Sequence, residues 1–246
     1  LLHRTAALRR PQFFASARWP GYTVLNTTLQ STKSGGPLAG AWAVVNSIGD
    51  AGYLELTGKA LGAVDEIVAG IERIEALRIV VRPDSTLIAV ATDGSCDVFT
   101  IVDAMSRVGW HVQPQLSFNG TPPSFHLSVS AATADHVEEF LEELEKAVAG
   151  AVETGPVHVA PEIVELVRSL DPADLTEEDF DGLLAGLGLG GDPSAVDSEG
   201  ASVGGAPLGL PEAMAPINAL LDLASPTLRE ALLTAFLDRL LRPTRL

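Results

Sequence analysis

An α/β chain with a small α+β lobe at its centre is the fold class this sequence predicts, and three observations carry it. Between positions 50 and 150, helical apolar periodicity and β-branched runs follow the order helix, strand, strand, helix, strand, strand, helix. That order folds into an antiparallel sheet covered by helices on one side. Turn compositions sit between the strands, as Arg82-Pro83-Asp84-Ser85 and as Phe118-Asn119-Gly120-Thr121-Pro122-Pro123, where Pro, Asp, Asn and Gly fit bent backbone. Outside this stretch the composition shifts, to an aromatic and basic segment before it and an acidic, Gly-rich one after Gly150.

In chain order, residues 1–4 read as the end of a strand. Thr5 to Arg10 form a short helical turn that Pro11 stops. Gln12 to Pro20 is irregular, with Phe13, Phe14 and Trp19 packing beneath it, and Tyr22 to Leu25 is extended. Gly36 to Ile48 is apolar almost all round and predicts a helix buried on most sides, with Trp42 in the core. Gly49-Asp50 breaks it. A second helix runs from Gly52 to about Ala76, where Leu54, Leu61, Val64, Ile67, Val68, Ile71 and Ile74 recur at helical spacing.

Strands are expected at Leu77 to Val81 and Leu87 to Ala91. Asp97 caps a helix that Gly109 closes. Trp110 to Leu116 and Ser124 to Ser130 are two further strands, and Thr133 to Ala149 is an amphipathic helix. Pro161 to Leu170 and Thr176 to Leu187 predict short helices, the second opened by a capping box of Thr176 and Asp179. Gly188 to Gly209 reads as a flexible linker. Leu210 to Leu223 and Thr227 to Leu241 form an apolar helix pair that must dock on something. The expected segments are therefore 1–49, 50–150, 151–187, 188–209 and 210–246.

With 246 residues and a formal net charge of -16, the chain holds a sizeable core and lacks the basic face that nucleic acid or an anionic membrane requires. No apolar run reaches the roughly 20 residues of a membrane helix, and the basic N-terminus lacks the apolar core of a signal peptide. Arg4, Arg9, Arg10 and Arg18 read as a solvated or inter-segment face. One cysteine, Cys96, fits a reducing compartment, so a cytoplasmic location is expected. The absence of an initiator Met suggests a fragment or processed piece. No metal site is expected, because no His, Cys or carboxylate stands at ligand spacing from His126, which reads as a structural histidine.

The stretch from Thr27 to Gly36 is the candidate binding element. Ser31, Thr32 and Ser34 offer hydroxyls, Lys33 a positive charge, and Gly35-Gly36 close backbone approach at a helix start with outward N–H groups. Such a corner suits phosphate or carboxylate. The same residues also read as an ordinary cap, with Ser34 as the capping residue and Pro37 in the tolerated first turn.

Taken together, several ordered stretches resemble a known family, the pyridoxal-phosphate group II decarboxylases, and within it the sphingosine phosphate lyase-like branch. They are Ser31-Thr32-Lys33-Ser34-Gly35-Gly36 followed by Ala41-Trp42-Ala43, then Gly49-Asp50-Ala51-Gly52-Tyr53, Asp97-Val98-Phe99, Gly109-Trp110, Pro122-Pro123-Ser124-Phe125-His126 and Met214-Ala215-Pro216-Ile217. The resemblance spans most of Leu1 to Ala149 and implies the C-terminal part of a fold type I enzyme. Residues 1–49 would end its cofactor-binding domain and 50–150 would be its small domain. It further implies pyridoxal phosphate as cofactor and a homodimer in which Thr32, with Lys33 and Ser31, reaches the phosphate in the other subunit's site.

The chain also departs from the family pattern. The family's cofactor-bearing lysine lies in a His-Lys pair before the strand matching Leu1-Leu2, so this chain is expected to be inactive alone and no residue of it is assigned to catalysis. A lyase-type Tyr stands as Asn218 here, and another near Val24 is missing. The expected activity is therefore a carbon–carbon lyase acting on an amino acid or amine, with amino-acid carboxy-lyase as the leading reading. The alternatives are a sphingosine phosphate lyase-like aldehyde-lyase and a non-catalytic α+β binding or dimerisation module.

Overall fold

The computed structural model describes residues 4–26, 34–187, 211 and 213–240. Residues 1–3 of the strand end expected at 1–4, the turn at 27–33 and the linker at 188–209 lie outside the described residues, and Arg4 is in a bend rather than a strand. The chain divides into two compact units, one of Leu29–Gln115 with Gly120–Val157, the other of Leu1–Thr28, Leu116–Asn119 and His158–Leu246.

The first unit is the α+β lobe. Its sheet has four strands, β3 (Leu77–Ile79), β4 (Leu87–Thr92), β5 (Gln113–Gln115) and β6 (Ser124–Ser128), in the order β3-β4-β6-β5 and antiparallel throughout. Pairing of Ile88 with Leu127 and of Val90 with Phe125 puts four apolar side chains on one face, and all four are buried. The helices α2 (Gly35–Ile71), α3 (Val98–Arg107) and α4 (Val137–Thr154) cover the sheet. Here α2 packs on β3 and β4, α3 on β5 and β6, and α4 on both helices. Leu127 lines one small cavity together with Ile67 of α2 and Phe140 of α4, as a sheet with helices on one side requires. Gly70 permits the close approach of α2 to α4, since a Cβ there would lie 2.4 Å from Leu141 Cδ1.

Two devices expected from the sequence hold this lobe. The Asp97 carboxylate accepts the Thr100 N–H at 2.8 Å and the Val157 N–H at 2.7 Å, so one side chain caps α3 and ties it to the chain beyond α4. Gly109 closes α3 with φ +88, a region where glycine carries no steric cost.

The long helix α2 differs from expectation in one respect. It kinks at Gly49, with φ 63 and ψ 176, where the sequence predicts the break. Its first half, however, is exposed rather than buried: Leu38 is 75% exposed and Trp42 70%. The apolar residues expected to form a core have no cover among the described residues. Periodicity reports that a helix is apolar all round, not which chain covers it.

In the second unit, α1 (Ala6–Arg9), capped by Thr5, leads through a 3₁₀ turn into a hairpin of β1 (Phe14–Ser16) and β2 (Val24–Asn26). Trp19 packs edge-on against Tyr22 and donates its indole N–H to the Tyr22 carbonyl at 2.8 Å. Phe14 is 61% exposed, not packed beneath the segment as expected. The remaining helices are α5 (Pro161–Ser169), α6 (Glu177–Gly186), α7 (Ala215–Leu223) and α8 (Pro226–Leu240). The capping box of Thr176 and Asp179 forms as predicted. Phe180, Leu184, Ala224, Leu228, Leu232 and Ala235 make the core of this helical group.

Candidate functional site

The three residues named for cofactor binding, Ser31, Thr32 and Lys33, lie outside the described residues, so the site is built from the element that follows them. Ser34 adopts extended φ/ψ of −63 and 141, and its hydroxyl accepts the Gly36 N–H at 3.3 Å. The capping reading is therefore correct for Ser34. That contact uses the Ser34 oxygen as an acceptor within the helix. The helix start itself suits an anion: no acidic residue sits in the first turn of α2, in a chain with 32 acidic residues. Among the described residues, a Cβ at Gly35 would meet nothing within 4 Å, and the helix dipole at this end favours an anion.

The other lysines differ sharply from a cofactor-bearing amine. Lys59 lies 3.8 Å from Glu55 with its side chain 56% exposed. Lys146 donates to Glu143 at 2.7 Å, and that contact raises its pKa above the ordinary lysine value. A lysine that attacks a carbonyl needs its pKa lowered, and Lys146 is pushed the other way.

One polar cluster was not singled out from the sequence. On the sheet face opposite Phe125, the Gln115 side chain bridges two neighbours: its Nε2 lies 2.9 Å from His126 Nδ1, and its Oε1 accepts the Ser124 hydroxyl at 3.1 Å. The Gln115 amide is thus the partner of Nδ1 of the ring. Burial, and to a lesser degree His111, lower the His126 pKa below its ordinary value of 6.5. Alternation of Gln113 and Gln115 around Pro114 is the signal that marks this row. It supports the structural reading of His126, now with named partners.

Cys96 is 2% exposed, and burial raises its pKa, as suits an inert packing residue. Among the described residues no group of three or more His, Cys, Asp or Glu side chains could hold a metal ion, and no helix is long and apolar enough to cross a membrane. A cavity of about 530 Å³ in the helical group is lined mainly by apolar side chains including Ile163, Leu166, Leu183 and Leu228, together with Glu178 and Asp179.

Comparison with known proteins bears on both parts of the chain. A sequence model of the pyridoxal-dependent enzyme C-terminal putative HTH domain matches residues 161–239. Sphingosine-1-phosphate lyase of Oryza sativa subsp. japonica is 36% identical over 148 residues, covering 60% of this chain and 26% of that protein. A probable L-aspartate decarboxylase of Thermococcus gammatolerans is 22% identical over 130 residues, covering 53% of this chain and 32% of that protein. The solved structure of a Burkholderia pseudomallei sphingosine-1-phosphate lyase aligns at 26% identity over 61% of this chain and 33% of that one, with a TM-score of 0.44. The chain thus spans about a quarter of the rice relative's length. The chain is thus similar to the C-terminal domain of pyridoxal-dependent enzymes over 161–239 and to sphingosine-1-phosphate lyases over 148 residues.

Proposed function

We propose that this chain is the C-terminal portion of a pyridoxal-phosphate-dependent carbon–carbon lyase of fold type I, and that it supplies the phosphate contact of the site. The observation that carries this is the 36% identity over 148 residues to a sphingosine-1-phosphate lyase. The exposed, acid-free start of α2 supports the phosphate contact. When bound, the cofactor supplies an electron sink for the carbanion left as a bond to Cα breaks. In this reading Thr32 and Ser31 donate hydroxyl hydrogen bonds to the phosphate oxygens, Lys33 offsets their charge, and the open backbone at Gly35-Gly36 lets the phosphate approach.

Two reaction types remain within the proposal, each favoured by a specific observation. The higher identity to sphingosine-1-phosphate lyase favours an aldehyde-lyase. Asn218 in place of the lyase-type Tyr, together with the match to a probable L-aspartate decarboxylase, favours a carboxy-lyase. A homodimer follows from the same resemblance, and the uncovered apolar half of α2 supports a protein partner there.

The test uses the intact gene product. It is expected to copurify with, or take up, pyridoxal phosphate, and borohydride reduction should fix the cofactor to a lysine outside residues 1–246. An intact product that never binds the cofactor removes the proposal.

A further inference from the structure

The helical group at 161–239 matches a domain described as a putative HTH, a description that invites a nucleic-acid role. Its charge and its contacts oppose that role. Within 161–239 the sequence has fifteen Asp and Glu against three Arg and no Lys. Of the three, Arg229 is 6% exposed, Arg239 lies 3.5 Å from Asp181, and only Arg168 is classed as exposed. A helix-turn-helix module draws much of its affinity from cationic contacts to phosphates, and among the described residues of this domain only Arg168 is available for one.

The acidic groups instead receive the chain's own basic segment. Arg9 donates through Nε to Asp238 Oδ1 at 2.8 Å and through Nη2 to the Asp238 carbonyl, and the Asp238 side chain is fully buried. Arg10 pairs with Glu177 at 2.7 Å and lies 5.5 Å over the Phe180 ring. Glu230 accepts the Ala17 N–H at 2.8 Å, and Thr227 accepts from Arg18 at 3.3 Å. Asp222 accepts the Ser117 N–H at 2.5 Å. Three separated stretches, 4–26, 116–119 and 161–239, are therefore gathered through α6, α7 and α8.

We propose that this helical domain is an intramolecular brace, its partner being the chain's own arginine-bearing N-terminal segment and the 116–119 loop rather than nucleic acid. The charge complementarity selects that partner: three arginines of the segment meet acidic or hydroxyl groups of the domain, and Asp238 of α8 takes one of them through both its buried carboxylate and its carbonyl.

Native-state amide exchange on the intact protein tests this with two variants, Asp238→Asn and Glu230→Ala, alongside anisotropy with a labelled DNA duplex. The expected result is exchange faster by about tenfold or more in the 14–16 and 24–26 hairpin, with Ile88, Val90 and Phe125 in the sheet unchanged. No duplex binding is expected up to about 10 μM at low salt, where non-specific DNA binders already associate. Should Asp238→Asn unfold α8 and speed exchange everywhere, Glu230→Ala decides, because it removes only the acceptor of one hairpin amide. Unchanged hairpin exchange in Glu230→Ala overturns the proposal, as does duplex binding that Arg168→Ala abolishes.

Discussion

Asp97 shows how much one side chain can fix. Its carboxylate satisfies the Thr100 amide at the start of α3 and the Val157 amide beyond α4. Both amides lose their partner in Asp97→Ala. Loss of the cap and of the second charge-assisted bond is expected to cost the lobe about 2 to 3 kcal/mol in urea denaturation. The capping half of this role was legible in the sequence, because an Asp before an apolar helical run has a local meaning. The bond to Val157 spans 60 positions, and no local pattern announces it.

At the same scale, His126 makes the lobe sensitive to acid. Its folded-state pKa lies below the ordinary 6.5 because burial disfavours the imidazolium. Above that value both folded and unfolded states are neutral and stability is unaffected. As pH falls below it, the unfolded chain takes up a proton before the folded one does, so stability is lost until the folded pKa is passed. Replacing His126 by Gln should flatten the stability curve between about pH 6.5 and 5, measured by denaturation at several pH values. An unchanged slope would mean that other groups set it.

At the scale of elements, α2 separates what a sequence encodes from what it leaves open. The kink at Gly49 was legible, since few residues other than glycine adopt φ 63 with ψ 176. The lower half of the helix was legible too, because Ile67, Val68 and Ile71 recur at helical spacing and are buried. The upper half was read as core and is not. Its Leu38, Trp42 and Val45 meet no cover among the described residues. In the proposed dimeric enzyme that surface is an interface. Trp42→Glu should therefore change the chain's own stability by no more than ~0.5 kcal/mol. It should also weaken self-association of the intact protein at least about tenfold, as expected for an aromatic anchor. Sedimentation over a concentration series separates the two effects, and an unaltered association constant would place the interface elsewhere.

Over the whole molecule, position in the chain and position in the fold diverge. Residues 4–26 and the described residues of 158–187 and 213–240 come from opposite ends of the sequence and belong to one compact unit. The basic character of Arg9, Arg10 and Arg18 left both a solvated and an inter-segment face open, and only the structure identifies Asp238, Glu177 and Thr227 as partners. Pairings of this separation leave no periodicity to read. The resemblance to the family, by contrast, was carried by short ordered motifs spread over the first 149 residues and at 214–217.

The central claim, that Ser31, Thr32 and Lys33 hold a cofactor phosphate, has a direct measurement. In the intact protein, the affinity for pyridoxal phosphate and for pyridoxal, which lacks the phosphate, is compared between wild type and Thr32→Ala. Loss of one hydrogen bond to a charged group, about 1.5 to 3 kcal/mol, should weaken pyridoxal phosphate binding by roughly 10- to 150-fold and leave pyridoxal binding unchanged. Equal affinity of the two proteins for pyridoxal phosphate, or an equal loss for both ligands, would contradict the claim.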